Sequence, residues 1–157
     1  MNSNQKAFLE MIAHSEIGEQ LLSNPLTDRG YRVIVGSTAA HPILFSPYTD
    51  HPRKLIKLSP TLSSTAAGRY QLLERYYDAY KKSLRLPDFS PMSQDAIAIQ
   101  QITECGAMPL IQVGRFAEAV QRCARIWASL PGNSYGQHEN KITDLQTAYI
   151  TAGGKLA

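Results

Sequence analysis

The chain has 157 residues, of which 43% are hydrophobic and 18% charged, with a formal net charge of +3 at neutral pH and a mean hydropathy of −0.25. That length suits one domain with a sizeable core, spanning 1–157, and the composition is that of an ordinary soluble globular protein. Lys and Arg are scattered rather than gathered, which suits an anionic polymer as partner. No zinc-finger spacing, stacking platform or basic helix marks a nucleic-acid binder.

The opening Met1-Asn2-Ser3-Asn4-Gln5-Lys6 runs directly into an amphipathic pattern, with no apolar core and no small-residue cleavage site of a signal peptide. No apolar run approaches the roughly 18 residues of a membrane span, so no stable membrane insertion is expected. Cys105 and Cys123 form no CxxC pair, and free thiols in a reducing cytosol are expected. His14, His41, His51 and His138 show no ligand spacing, so neither a metal nor a cofactor is expected.

The first predicted helix is capped by Ser3 or Asn4 and runs to about Glu16. Ile12 and Leu9 lie one and two turns before Glu16, with Phe8 and Met11 beside them, so Glu16 continues the core-facing stripe. Burial there disfavours the charged carboxylate, and a helix ending near Gly18 adds its negative end to the same effect. A proton held near neutral pH suits a general acid. The segment alone reads more readily as a helix-terminal Glu that reaches out to water.

The β-branched run Arg32-Val33-Ile34-Val35-Gly36, Leu44-Phe45 and Leu55-Ile56-Lys57-Leu58 predict a small antiparallel sheet with turn chemistry at Asp50-His51-Pro52-Arg53-Lys54. Helices are predicted over 69–84, from Ser90-Pro91 to about Cys105, over 116–128 and over 139–152. Helix, small sheet, then four helices make the class α+β with the sheet segregated on one side.

Several long strings resemble a known family. They are Lys6-Ala7-Phe8-Leu9 through Ser15-Glu16, Gly30-Tyr31 with Val33-Ile34-Val35-Gly36, Asp50-His51-Pro52-Arg53-Lys54, Gly68-Arg69-Tyr70-Gln71-Leu72-Leu73, Asp88-Phe89-Ser90-Pro91 with Ser93-Gln94-Asp95-Ala96, and Ile126-Trp127-Ala128-Ser129-Leu130-Pro131-Gly132 with Tyr135-Gly136-Gln137. In order and spacing they cover nearly the whole chain and resemble the lambdoid phage endolysins, lysozyme-like lytic transglycosylases. The chain departs from that pattern at Ile17, where the family has glycine, in the segment 18–28, and in a longer stretch over 37–48.

The resemblance implies a lysozyme-like α+β fold, mainly helical with a small sheet on one side of a cleft. It implies cleavage of the β-1,4 link between N-acetylmuramic acid and N-acetylglucosamine in peptidoglycan, with the muramoyl O6 hydroxyl in place of water and 1,6-anhydromuramoyl ends as product. It makes Glu16 the single catalytic acid. Gln71 matches a Gly-x-x-Gln element that holds sugar at a helix start, with Ser64 and Thr65 lining the same floor or capping the helix that follows. Tyr135 either orients Glu16 or packs as a loop aromatic. Asp50 and Arg53 either face muramoyl and stem-peptide carboxylates or pair to stiffen a turn.

Glycan strands are the implied partner, without nucleic acid, for a monomer held in the host cytoplasm until a holin permeabilises the membrane and admits it to the periplasm and cell wall. Glycoside hydrolysis ordinarily takes two carboxylates. Glu19, Asp28 and Asp50 are the candidates for a second, and none has a sequence-level reason to face Glu16. A hydrolytic muramidase and an inactive peptidoglycan-binding module are the alternatives.

Overall fold

The computed structural model describes residues 1–133 and 138–157. In chain order these form α1 (Ser3–Ile17), α2 (Glu19–Leu22), a 3-10 turn (Pro25–Thr27), β1 (Ile56–Ser59), β2 (Leu62–Ser64), α3 (Glu74–Ser83), α4 (Pro91–Glu104), α5 (Met108–Gln112), α6 (Phe116–Cys123) and α7 (Ile142–Thr151). The class is α+β, as expected. The chain falls into two compact units, Met1–Glu16 with Ala98–Ala157, and Ile17–Ile97.

The first unit is built on α1, which buries Ala7, Phe8, Leu9, Met11, Ile12, Ala13 and Ser15. Its start is fixed by Asn2, not by Ser3 or Asn4: the Gln5 N–H donates to Asn2 Oδ1 at 2.9 Å and the Asn2 N–H donates to Gln5 Oε1 at 2.8 Å. This reciprocal pair satisfies two backbone donors that the helix cannot pair itself. Asn4 turns inward instead, donating to Ile111 O and accepting from Lys155 N, which ties the C-terminal tail to α1. Phe8 meets Phe116 and Tyr149 edge-on, with centroids 6.2 and 6.5 Å away. Cys105 and Cys123 are free thiols, both buried.

The second unit packs Ile34, Phe45, Ala67, Leu72, Tyr77, Phe89 and Ile97 into one core. Two predicted strands shrink to single bridges, Val33 with Leu44 and Ile34 with Ala67. The reason is local: Ser37 Oγ donates toward Ile34 O and accepts from Ile43 N, so a side chain occupies backbone groups that a ladder would use. The antiparallel pair that does form is β1 with β2. The helix predicted over 69–84 begins only at Glu74, because Ala67 and Leu72 exchange backbone hydrogen bonds in a tight turn that puts Gln71 at φ 50°. Tyr70 therefore leaves the helical stripe, and its hydroxyl donates to Asp95. The helix predicted over 116–128 ends at Cys123, whose carbonyl takes N–H bonds from both Ile126 and Trp127.

Ile17, the departure from the family's glycine, has a partner in this unit. A Cβ on Gly30 would stand 2.3 Å from Ile17 Cδ1, and Gly30 has φ 90°. The bare backbone at Gly30 makes room for the Ile17 side chain.

Candidate active site

Glu16 is the penultimate residue of α1, and Gly18 at φ 78° ends the helix there. The residue is partly buried. Burial raises its pKa to about 7, while a hydrogen bond from Ser129 pulls the other way.

Ser129 Oγ donates to Glu16 Oε1 at 2.6 Å. Behind it, Ser15 Oγ lies 2.8 Å from Ser129 Oγ. Asn140 Nδ2 donates to Ser15 Oγ at 2.9 Å and to Ser15 O at 3.0 Å. The Asn140 N–H donates to Ser129 O, and Asn133 Nδ2 donates to the carbonyls of Ala128 and Leu130, so the backbone carrying Ser129 is held from two sides. All of these residues belong to the first unit. The sequence contains Ser15 and Ser129 within the strings that resemble the family, but separations of more than a hundred residues give no periodic signal, and Asn140 lies outside those strings. Tyr135, the expected orienting group, lies outside the described residues.

In the second unit Gln71 sits in the turn before α3, not at a helix start. Its Nε2 donates to Gly68 O at 2.9 Å and Val33 O at 3.3 Å, so the amide nitrogen is committed to the backbone. Thr65 Oγ1 accepts the Glu74 N–H at 3.1 Å and thereby caps α3, whose own N-cap residue Leu73 has no side chain able to do so. Ser64 Oγ accepts from Ala66 N. Ser64 and Thr65 also line an open pocket of about 460 Å³ together with Leu55, Leu73, Glu74 and Asp78.

Asp50 and Arg53 are brought together, at 2.7 Å from Nε to Oδ2. Arg53 also reaches Glu74 at 3.1 Å and Asp78 at 2.5 Å, so every guanidinium nitrogen has a carboxylate acceptor. The Asp50 pKa is lowered chiefly by its hydrogen bond from Arg53. This is the turn-stiffening arrangement, extended to clamp the 50–54 loop onto α3. Beneath it His51 is buried, with Nδ1 accepting the Arg53 N–H and Nε2 on Leu72 O at 2.9 Å.

A small antiparallel pair among helices, with one protonatable carboxyl ending the first helix, defines the lysozyme-like class. The whole chain superimposes on a lysozyme of bacteriophage lambda solved with a chitohexasaccharide, at a TM-score of 0.89 and 51% identity, covering 100% of this chain and 98% of that one. A second structure of the bacteriophage lambda lysozyme matches at a TM-score of 0.88 and 51% identity, with the same coverage. The endolysin of Escherichia phage lambda is 53% identical over 99% of this chain and 95% of its own length. The endolysin of Escherichia phage P2 is 45% identical over 98% and 94%. The endolysin family profile matches residues 6–156. The chain belongs to the endolysin family.

Proposed function

We propose that this endolysin cleaves the MurNAc-β-1,4-GlcNAc link of peptidoglycan as a lytic transglycosylase, with Glu16 as its one acid and base. The observation that carries this reading is a carboxyl at the end of α1 that burial keeps protonatable, with a pKa raised to about 7, and that Ser129 holds at 2.6 Å, in a chain of the endolysin family. A hydrolase would add a second carboxylate to Glu16, and the products distinguish the two reactions.

The steps balance with one carboxyl. Protonated Glu16 gives its proton to the glycosidic oxygen as the bond from muramoyl C1 breaks, and the GlcNAc alcohol leaves. The substrate's own N-acetyl oxygen stabilises the oxocarbenium-like C1 in place of a protein nucleophile. Ionised Glu16 then takes the proton from the muramoyl O6 hydroxyl as O6 bonds to C1, which closes the 1,6-anhydro ring and restores the acid. Water is not consumed.

The pocket beside Ser64 and Thr65 is the proposed sugar contact in the second unit. Its leucines offer apolar surface to a ring face, and Ser63 and Ser64 offer hydroxyls to its edges. Gln71 contributes through Oε1, which carries no bond among the described residues. Asp50 and Arg53 support that region by holding the 50–54 loop on α3. The chain acts as one catalytic domain, since the family match runs over 6–156 and the first unit is assembled from both ends of the chain. Among the described residues no helix is long and apolar enough to cross a membrane. The proposal includes a monomer that waits in the host cytoplasm for a holin to open the route to the wall.

Mass spectrometry of digested sacculi tests the reaction class: 1,6-anhydromuramoyl ends are expected, and reducing muramoyl ends alone would establish a hydrolytic muramidase. Binding to sacculi without loss of turbidity would instead identify an inactive wall-binding module.

A further inference from the structure

The contacts behind Glu16 have a direction. Asn140 Nδ2 meets both Ser15 O and Ser15 Oγ. A backbone carbonyl only accepts, so the amide must present its NH2 here, which fixes the Asn140 orientation and makes Ser15 Oγ an acceptor from it. The Ser15 hydroxyl hydrogen is then free for Ser129 Oγ at 2.8 Å, and the Ser129 hydrogen for Glu16 Oε1 at 2.6 Å. In the opposite direction Ser15 Oγ would accept from both Asn140 and Ser129, and its own hydrogen would have no acceptor among the described contacts. Only the direction toward Glu16 places every hydrogen.

We propose that Asn140, Ser15 and Ser129 form a one-way donor chain that holds Glu16 in place and keeps its transferable proton on Oε2, leaving Oε1 as a permanent acceptor. This rests on Glu16 being the catalytic acid. Ser129, Ser15 and Asn140 are positioning residues in it: none needs to touch the glycan. Hydrogen bonds in such a chain polarise one another, so the last donor is stronger than an isolated serine. Because Oε1 accepts from Ser129, the proton of a protonated Glu16 is kept on Oε2, so which oxygen faces the glycosidic bond as the acid is set before substrate arrives. The donor also opposes burial, favouring the ionised form needed when Glu16 turns from acid to base.

The test is a carboxyl-carbon NMR titration of Glu16 in the full-length protein, with kcat, KM and pH profiles measured on sacculi for the same variants. Ser129→Ala is expected to move the Glu16 pKa upward from about 7 and the alkaline limb of kcat with it. It should lower kcat by about tenfold, the effect of one hydrogen bond to a charged group, with KM nearly unchanged. Ser129→Thr keeps the hydroxyl and should restore both pKa and kcat. Ser15→Ala should shift the pKa in the same direction by less. An unmoved Glu16 pKa in folded Ser129→Ala, or failure of Ser129→Thr to recover what Ser129→Ala loses, would overturn the chain. Should Ser129→Ala not fold, Ser15→Ala decides through the same titration: an upward shift supports the chain and none overturns it. Glu16→Gln separates the two claims, because full activity in that variant defeats the acid assignment, whereas the titrations report on the chain whatever the chemistry.

Discussion

Ser129 donates its hydroxyl to Glu16 Oε1 across 2.6 Å, joining the end of the first helix to a residue 113 positions later. The contact is worth less than the burial it opposes, since the Glu16 pKa still stands raised to about 7. In the proposed role of general acid Glu16 must carry its proton, so the rate of glycan cleavage should fall as pH rises through about 7. Turbidity loss of sacculi measured against pH checks this, and a rate flat from pH 6 to 9 would contradict it.

Glu16→Gln should remove activity by roughly a hundredfold to ten-thousandfold, because the amide has the size but no transferable proton. The same substitution should stabilise the fold at neutral and alkaline pH. In the native state Glu16 keeps its proton to about pH 7, whereas a solvent-exposed glutamate releases it near 4.5. The unfolded chain therefore gains by ionising between those values, and native stability declines across that window as pH rises. Removing the group should recover on the order of 2 to 3 kcal/mol at pH 8 and little at pH 4, read by denaturant unfolding.

His51 works with the opposite slope. Burial lowers its pKa, and Nδ1 is occupied as acceptor of the Arg53 N–H. Below about pH 6.5 the unfolded chain takes up a proton that the native imidazole resists, so the stability His51 contributes is complete above that pH and is lost as pH falls toward the native pKa. His51→Asn keeps an acceptor for the turn but does not titrate. Melting temperatures at pH 8 and pH 5.5 should show the gap between wild type and His51→Asn narrowing at the lower pH.

Arg53→Ala should lower the melting temperature and, since all three guanidinium nitrogens already face carboxylates, leave KM for sacculi nearly unchanged. The loss should shrink in 1 M salt, where exposed charges are screened. A large rise in KM at unchanged stability would assign Arg53 to the glycan instead.

The first helix, the α4 region and the partial burial of Glu16 were legible because a stripe of apolar residues at helical spacing is a local property, and the chain obeys it from Phe8 to Ile12, whereas the role given to Glu16 came from the family resemblance. Tyr70 and Leu73 show its failure: they continue a helical pattern, yet the backbone pairing of Ala67 with Leu72 breaks the helix before Glu74. Ile34 has strand character, but the Ser37 hydroxyl takes its carbonyl and the Ile43 N–H that would pair with it. Thr65 was legible as a cap for the helix that follows. The donor chain to Glu16 was not, because Ser129 and Asn140 meet Ser15 only through tertiary folding, and serine carries no pattern that marks it as a partner for a distant carboxyl.

In the proposed reaction one carboxyl suffices and water does not enter the products. Digestion of sacculi in water enriched in oxygen-18 measures this directly, by the mass of each released muropeptide. Products at the anhydro mass, without oxygen-18, are expected. A label on newly formed reducing muramoyl ends would show that water attacks C1 and that a second group activates it.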